Sequence, residues 1–553
     1  LLLLTACGNP TSPSRVIVLG LDGADWTILD RMLAEGDLPH FRQVIEGGVR
    51  APMVSLENFE RSPVLWTSLL TGQLPEQHGI VDFVSTDPAS GASLPVSSTE
   101  RRVPAIWNML TAVGRSVTVL GMWATYPAES VSGTVLSDRF AYLASKPESQ
   151  WNLTPAIESQ LTFPPELFAE FRGDLDATTW ALPVPIERSL GRLTDLRDPA
   201  QFPLLAEFTS FHHDDVFYLK QTFREDHLKH RIAKRLLKER PTDLMIHYFR
   251  GADVAEHFFW RYWEPESFVD RPGPESFADL VPEYYRYLDE ILGDHLRALR
   301  RGDALVIVSD HGQRANAEYQ GQLSWADVAS DERWRTRTER LFRALDLEWS
   351  ELGVLEGLRG VRYGESWGKN ELTLSLDAEA AGRPLPSLRN EVIDRIESMT
   401  LVDSGTPLFH LAEGDDPTLL RFEADIWKVT YSATLRVRGK EIPLREIFLT
   451  SQRSGDHRRR GIFIGYGAGF RRGETVPEVP ILGLTPLLLV LLDAPLGTDL
   501  AGEVPLDVLE GDALERGRTS PEVDYAAAWQ RRDGSAMSDD AFVEQLRALG
   551  YVK

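Results

Sequence analysis

The sequence predicts an α/β fold: a doubly wound sheet with helices on both faces and with regions inserted into it. Arg15 to Leu21 (RVIVLGL) and Ala304 to Ser309 (ALVIVS) are β-branched apolar runs, the pattern of parallel strands covered on both faces. Shorter runs of the same kind alternate with helical stretches, which indicates a doubly wound α/β core. Both long runs end in an aspartate, Asp22 and Asp310, where open α/β sheets place their binding crevice.

The 553 residues, 42% hydrophobic and 26% charged, are enough for a packed core and more than one domain. A net charge of -24 argues against a nucleic-acid polymer as partner, since such a partner needs a basic face. It does not exclude a small phosphate ester, because bound divalent cations reverse the local sign.

The one cysteine, Cys7, follows Leu1 to Ala6 as LLLLTAC. This resembles the end of a bacterial lipoprotein signal peptide, with Leu4 to Cys7 as lipobox and Cys7 as the lipidated residue. The implied location is the bacterial cell envelope, with the protein exported and held at a membrane through a lipid anchor. With Cys7 spent on the anchor there are no thiols left for disulfides, so the body must be stable through packing and metal. Gly8 to Ser14 is a short tether.

After the first strand, Asp25 to Gly36 reads as a helix and Val49 to Val54 as a strand. Ile106 to Val113 is helical, Val117 to Gly121 a strand, and Thr134 to Leu136 another. The alternation stops at Ser145, and Asp214 to Glu239 is a long charged helix whose Lys and Arg residues read as a solvated face. Asp243 to Phe249 (DLMIHYF) is a strand, Phe277 to Arg300 an amphipathic helix, and Gly461 to Gly465 and Leu482 to Leu492 the last core strand and helix. A helix near Leu341 to Leu345, another at Glu391 to Ser398 and a hairpin through Ile426 to Val437 fall in a second inserted region. Ser538 to Tyr551 reads as a terminal packing helix. The domain reading is signal end and tether (1–14), core (15–144), insertion with the long helix (145–240), core (241–314), inserted cap (315–441), core (442–510) and tail (511–553).

Chemistry concentrates in a few places. Ser62 opens SPVLWTSLLTGQLPEQHGI, a turn leading into a helix, so its hydroxyl sits among unpaired backbone amides that favour an anion. Alone, it is an N-cap with Pro63 at the first helical position. Its company widens that reading: Asp22 at a strand end, Asp253 and His257 one helical turn apart, Asp310-His311-Gly312 after a strand, and His457. Asp and His at i and i+4 share a helix face and can clamp one metal ion. Adjacent Asp310 and His311 need a sharp turn, which a nearby Gly supplies. These are the ligand types of a two-metal site, with His457 returning to the metal of Asp253 and His257.

Taken in order, LGLDGAD, SPVLWTSLLTGQLPEQHGI, FRGADVAEHFFW, VIVSDHG, DHRRRGIFIGYG and TPLLLVLLDAPLGTDLAG resemble the alkaline phosphatase superfamily, most closely its type I phosphodiesterase/nucleotide pyrophosphatase branch. The resemblance implies an alkaline-phosphatase-like fold in which Asp253, His257 and His457 hold one zinc and Asp22, Asp310 and His311 the other. Ser62 lies between them and attacks phosphorus, giving a phosphoserine that water releases. Two divalent ions are implied, zinc by ligand type with manganese as the alternative. The implied activity is hydrolysis of small phosphate esters, diesters first. A phosphomonoesterase, or a transferase passing a phospho-alcohol to a glycan or lipid acceptor, is the alternative. Two departures stand out. Phe83 occupies the place of the Asn that contacts a phosphoryl oxygen in nucleotide pyrophosphatases, and the Pro and Arg offsets of sulfatases are missing after Ser62. Arg61 is a candidate phosphoryl clamp, or else an ordinary surface arginine.

Overall fold

The computed structural model describes residues 13–57, 61–86, 93–145, 151, 153–175, 203–267, 275–315, 345, 348–349, 355–356, 358–364, 371–412, 416–424, 433–443, 454–527 and 529. Cys7, the helix near Leu341, most of the Ile426 to Val437 hairpin and the Ser538 to Tyr551 helix lie outside the described residues, apart from Leu345 and 433–437. The chain divides into two compact units. One comprises residues 1–263, 273–314 and 455–549, the other 264–272, 315–454 and 550–553.

The first unit is built on one mixed sheet. Its strands are β1 (Val16–Leu21), β2 (Val49–Val54), β3 (Val117–Leu120), β4 (Gly133–Leu136), β5 (Thr162–Phe163), β6 (Leu244–Phe249), β7 (Ala304–Val308), β8 (Arg460–Gly467), β9 (Glu474–Thr475) and β10 (Val479–Pro480). The order is β9-β2-β8-β7-β1-β6-β3-β4-β5, with β10 also on β2. Strands β7, β1, β6, β3 and β4 are parallel, as the β-branched runs predict. Every residue of β1, β6 and β7 is buried, as covering on both faces requires.

Strand β8 runs antiparallel to both β7 and β2, which periodicity alone could not reveal. Its direction has a consequence. The start of an antiparallel strand lies at the same sheet edge as the ends of its parallel neighbours, so the residues before Arg460 reach the edge marked by Asp22 and Asp310.

The helices that matter are α1 (Trp26–Ala34), α2 (Ser62–Thr71), α3 (Pro203–Glu239), α4 (Gly251–Trp263), α5 (Leu280–Ala298) and α6 (Leu484–Leu491). Helix α2 is buried on all sides, and its partner α6 is equally apolar and buried; Thr485 Oγ1 donates to the Leu69 carbonyl at 2.8 Å. The long helix starts eleven residues before the expected Asp214. Leu219, Phe223 and Leu228 form its buried stripe, while Arg231 and Lys234 are exposed and Arg235 half-buried, as expected of a solvated face. Lys229 departs from that expectation, being 3% exposed, and the neighbouring His230 is also buried. Lys229 is buried against Asp226 at 2.9 Å.

The second unit has its own core. An antiparallel sheet of Val361–Gly364, Glu371–Leu376, Leu419–Ala424 and Phe409–Ala412 carries helix Leu385–Glu397. Leu372, Leu374, Leu388, Val392, Phe409 and Phe422 fill the space between them. Among the described residues, no helix of the chain is long and apolar enough to cross a membrane.

Candidate active site

Asp22 follows β1 directly, its amide bonded to the Phe249 carbonyl at the end of β6. Its own carbonyl accepts from the Asp253 amide at 3.1 Å, which stitches the β1 turn to the first turn of α4. Gly23 makes this approach feasible: its φ is +74°, and a Cβ there would lie 2.9 Å from the Asp253 Cα. Gly312, after Asp310-His311, acts differently from the sequence expectation. It has no positive φ, and a Cβ would lie 2.2 Å from the Arg460 carbonyl oxygen. Its role is close backbone approach between the β7 edge and the segment leading into β8.

The six Asp and His candidates converge. His257 Nε2 lies 3.2 Å from Asp253 Oδ1 and 2.9 Å from His457 Nε2, and His457 Nε2 lies 3.3 Å from Asp253 Oδ1. His311 Nε2 lies 3.3 Å from Asp22 Oδ1 and 3.5 Å from Asp310 Oδ2. The two groups meet through His311, whose Nε2 is 3.9 Å from Asp253 Oδ1. Two sets of donors, Asp253/His311/His457 and Asp22/Asp310/His311, are close enough to hold a metal ion each. The first uses His311 where the sequence reading uses His257, and both imidazoles are within reach of Asp253. Both Asp310 oxygens and His311 Nε2 are buried without a hydrogen bond. Acceptors left bare in the interior are costly, and a cation satisfies them.

Ser62 is 2% exposed and its Oγ donates to Asp22 Oδ1 at 3.3 Å. It is the first residue of α2 with Arg61 as N-cap, so the cap reading of the sequence is displaced by one position. The first turn also offers fewer amides than expected. Pro63 has none, and Val64 and Leu65 both donate to the Arg61 carbonyl, which leaves the Ser62 N–H. Arg61 is half exposed and ion-paired with Asp82.

Sequence reasoning missed the residues that hold this array. Trp66 Nε1 donates to Asp22 Oδ2 at 3.1 Å, and the Tyr248 hydroxyl donates to the same oxygen. Tyr248 in turn accepts from Trp123 Nε1 at 2.6 Å. Gln313 Nε2 donates to Asp253 Oδ1 at 2.7 Å. Arg458 grips Asp25 with two nitrogens, at 2.6 and 2.5 Å. Trp66 sits one turn after Ser62 and Gln313 directly follows the Asp-His-Gly element, which is the signal that was available. His78 of the same motif is a turn lock: the Ile80 amide donates to its Nδ1, so its Nε2–H donates to Ser68 Oγ at 2.8 Å. Phe83 is buried edge-on to Trp123, an apolar contact where the resemblance has an amide.

Burial dominates the electrostatics. It pushes the Asp310 carboxyl well above the ordinary range, reinforced by the neighbouring Asp22. Burial alone would raise Asp253 too, but His257 and His457 reverse this and hold it well below the usual range. Burial works against charge on His311, yet Asp310 and Asp22 outweigh it and raise the imidazole to about 10. Burial also pushes Glu256 well above the ordinary carboxyl range despite its bond from the Tyr285 hydroxyl at 2.5 Å.

Residues 16–361 match the family model of type I phosphodiesterase/nucleotide pyrophosphatase. The match covers most of the chain, and the protein belongs to that family, within the alkaline phosphatase superfamily. It is a phosphodiester hydrolase of a metal-dependent family that acts on small nucleotide and phosphate-ester substrates. No curated protein matches the chain. Among solved structures, murine ectonucleotide pyrophosphatase/phosphodiesterase 5, as an inactive variant in complex with AMP, aligns at 14% identity over 90% of this chain and 100% of that one, with a TM-score of 0.42. The human counterpart aligns at 14% identity over the same shares, with a TM-score of 0.41.

The electrostatics give a testable consequence. His311, held at about 10 by the Asp310 and Asp22 carboxylates, carries a proton at neutral pH and must lose it to ligate a cation. Titrating zinc into chelator-stripped protein at pH 8, in weak buffer with an indicator, is expected to release protons, with apparent affinity falling as the pH is lowered to 6. Uptake with no proton release and no pH dependence would contradict this assignment of donors.

Proposed function

We propose that the chain is a two-metal phosphodiesterase that works through a phosphoserine at Ser62 and is held at the bacterial cell envelope by a lipid on Cys7. The observation that carries the reading is the buried Ser62 hydroxyl, 3.3 Å from an Asp22 oxygen shared with His311. Asp253, His257 and His457 would hold one divalent cation and Asp22, Asp310 and His311 the other. Their mixed carboxylate and imidazole donors suit zinc, with manganese as the alternative. When bound, the pair supplies Lewis acidity at the serine hydroxyl and at the phosphoryl oxygens.

The chain's own residues do the rest. Trp66 and Tyr248 occupy Asp22 Oδ2, which keeps Oδ1 turned toward Ser62. Ser62 attacks phosphorus in line as the alcohol leaves, and the bond to the leaving oxygen breaks as the bond to Oγ forms. The Ser62 N–H at the start of α2 faces the developing charge on the phosphoryl group. Arg61 can add a clamp by giving up its exposed pair with Asp82, a pair worth roughly 0–1 kcal/mol. Water then attacks the phosphoserine from the side the alcohol left, and the bond from phosphorus to Ser62 Oγ breaks as the new one forms, which frees the hydroxyl. Phe83 offers no hydrogen bond to a phosphoryl oxygen, which favours small phosphodiesters, including lipid or glycan phosphates, over a nucleotide-specific reaction.

Purified protein with zinc should cleave a bis-aryl phosphate faster than the corresponding mono-aryl phosphate. Ser62→Ala should lower kcat by at least about 10³-fold, with metal content and melting temperature little changed, because a residue at a helix start is worth only about 1 kcal/mol. Near wild-type kcat in that variant would remove Ser62 from the chemistry. The anchor is tested separately: Cys7→Ser should move the protein from the membrane fraction to the soluble fraction, and a wild type that is already fully soluble would contradict the lipid.

A further inference from the structure

Strand residues alternate between faces, so His247 points away from Tyr248 and its bond to Asp22. On that opposite face His247 of β6 meets His230 of α3 and His295 of α5. One ring nitrogen of each lies within 4.8 Å of one from each of the other two. His247 Nδ1 and His295 Nε2 are 3.2 Å apart. Two ligands of a tetrahedral zinc, each at roughly 2.0–2.1 Å, stand about 3.3 Å from one another.

The tautomers of two of these rings are fixed from outside. His295 Nδ1 lies 2.8 Å from the Ile291 carbonyl and must donate to it, which makes Nε2 a lone pair, shared in this structure with His247 Nδ1. His230 Nε2 lies 2.8 Å from Asp294 Oδ2 and donates there, which makes Nδ1 a lone pair. That Nδ1 and His247 Nε2 are buried with no hydrogen-bond partner. His230 and His295 have the arrangement of metal-ligating imidazoles, the outer N–H held by a carboxylate or a carbonyl and the other nitrogen unprotonated, while His247 offers Nδ1, the nitrogen 3.2 Å from His295 Nε2.

The charge state agrees. Burial, reinforced by His230, holds His295 down to about 3. Burial, with His295 next, drives His247 well below the ordinary value. Both are therefore neutral, as ligation requires. Asp294 is shared with Lys234 and Arg297, so the pocket selects by imidazole donors and not by net negative charge. That chemistry excludes calcium and magnesium, which take oxygen ligands.

We propose that His230, His247 and His295 form a structural site for one zinc-class cation, distinct from the catalytic pair, that ties α3 and α5 to strand β6. None of the three belongs to the motifs that define the family resemblance.

Full-length protein saturated with zinc and freed of excess is expected to hold three equivalents by elemental analysis. His295→Gln should hold two, with a lowered melting temperature and phosphodiesterase activity retained. If His295→Gln does not fold, Asp253→Asn/Asp310→Asn serves instead. Stripped of a donor from each catalytic set, it should still take up one cobalt with an absorption fine structure of three imidazoles. Wild type saturating at two equivalents, His295→Gln keeping three, or a double variant that takes up no cobalt would overturn the site.

Discussion

Three carboxylates, Asp22, Asp253 and Asp310, are gathered at one sheet edge, each no more than 1% exposed, and the rest of the site follows from what this costs. Ionised carboxylates in a protein interior are paid for at several kcal/mol apiece unless compensated. The protein compensates in two ways. Imidazoles surround the carboxylates, with His311 between the two sets and raised to about 10 by Asp310 and Asp22. Neutral donors add to this: Trp66 and Tyr248 take the Asp22 oxygen that Ser62 and His311 do not use, and Gln313 donates to the Asp253 oxygen that the imidazoles also approach. Neither Asp310 oxygen has a hydrogen bond, and burial pushes its carboxyl well above the ordinary range. A divalent cation resolves that strain more completely than protons can, since it also supplies the charge that phosphoryl transfer needs.

The fold is arranged to make such crowding feasible. Parallel strands β1, β6 and β7 deliver the Asp22, Asp253 and Asp310 turns to one edge, and antiparallel β8 brings the preceding His457 to it from the other direction. Close backbone approaches at Gly23 and Gly312 let these turns touch. Ser62 arrives on a helix buried on every side and packed against an equally apolar α6, so the proposed nucleophile is set by rigid elements and not by a loop.

Much of this was legible in the sequence, and the reasons are specific. Asp22 and Asp310 end strands that periodicity identifies, and Asp253 and His257 carry the one-turn spacing of a shared helix face. Three other features were not legible, because they depend on tertiary pairing. The direction of β8 leaves no mark on an apolar run, since a strand covered on both faces reads the same either way. The step from N-cap to first helical residue at Ser62 depends on the Arg61 carbonyl accepting from both Val64 and Leu65. Tyr248 and His247 were read only as strand residues. Their opposite faces matter because of what α3, α5 and Asp22 bring against them.

The central claim is that Ser62 is the nucleophile, so that phosphorus is attacked twice. A phosphodiester made chiral at phosphorus by sulfur substitution and hydrolysed in oxygen-18 water reads this directly. Two in-line displacements predict overall retention of configuration in the product. Inversion would mean a single attack by water and would contradict the account.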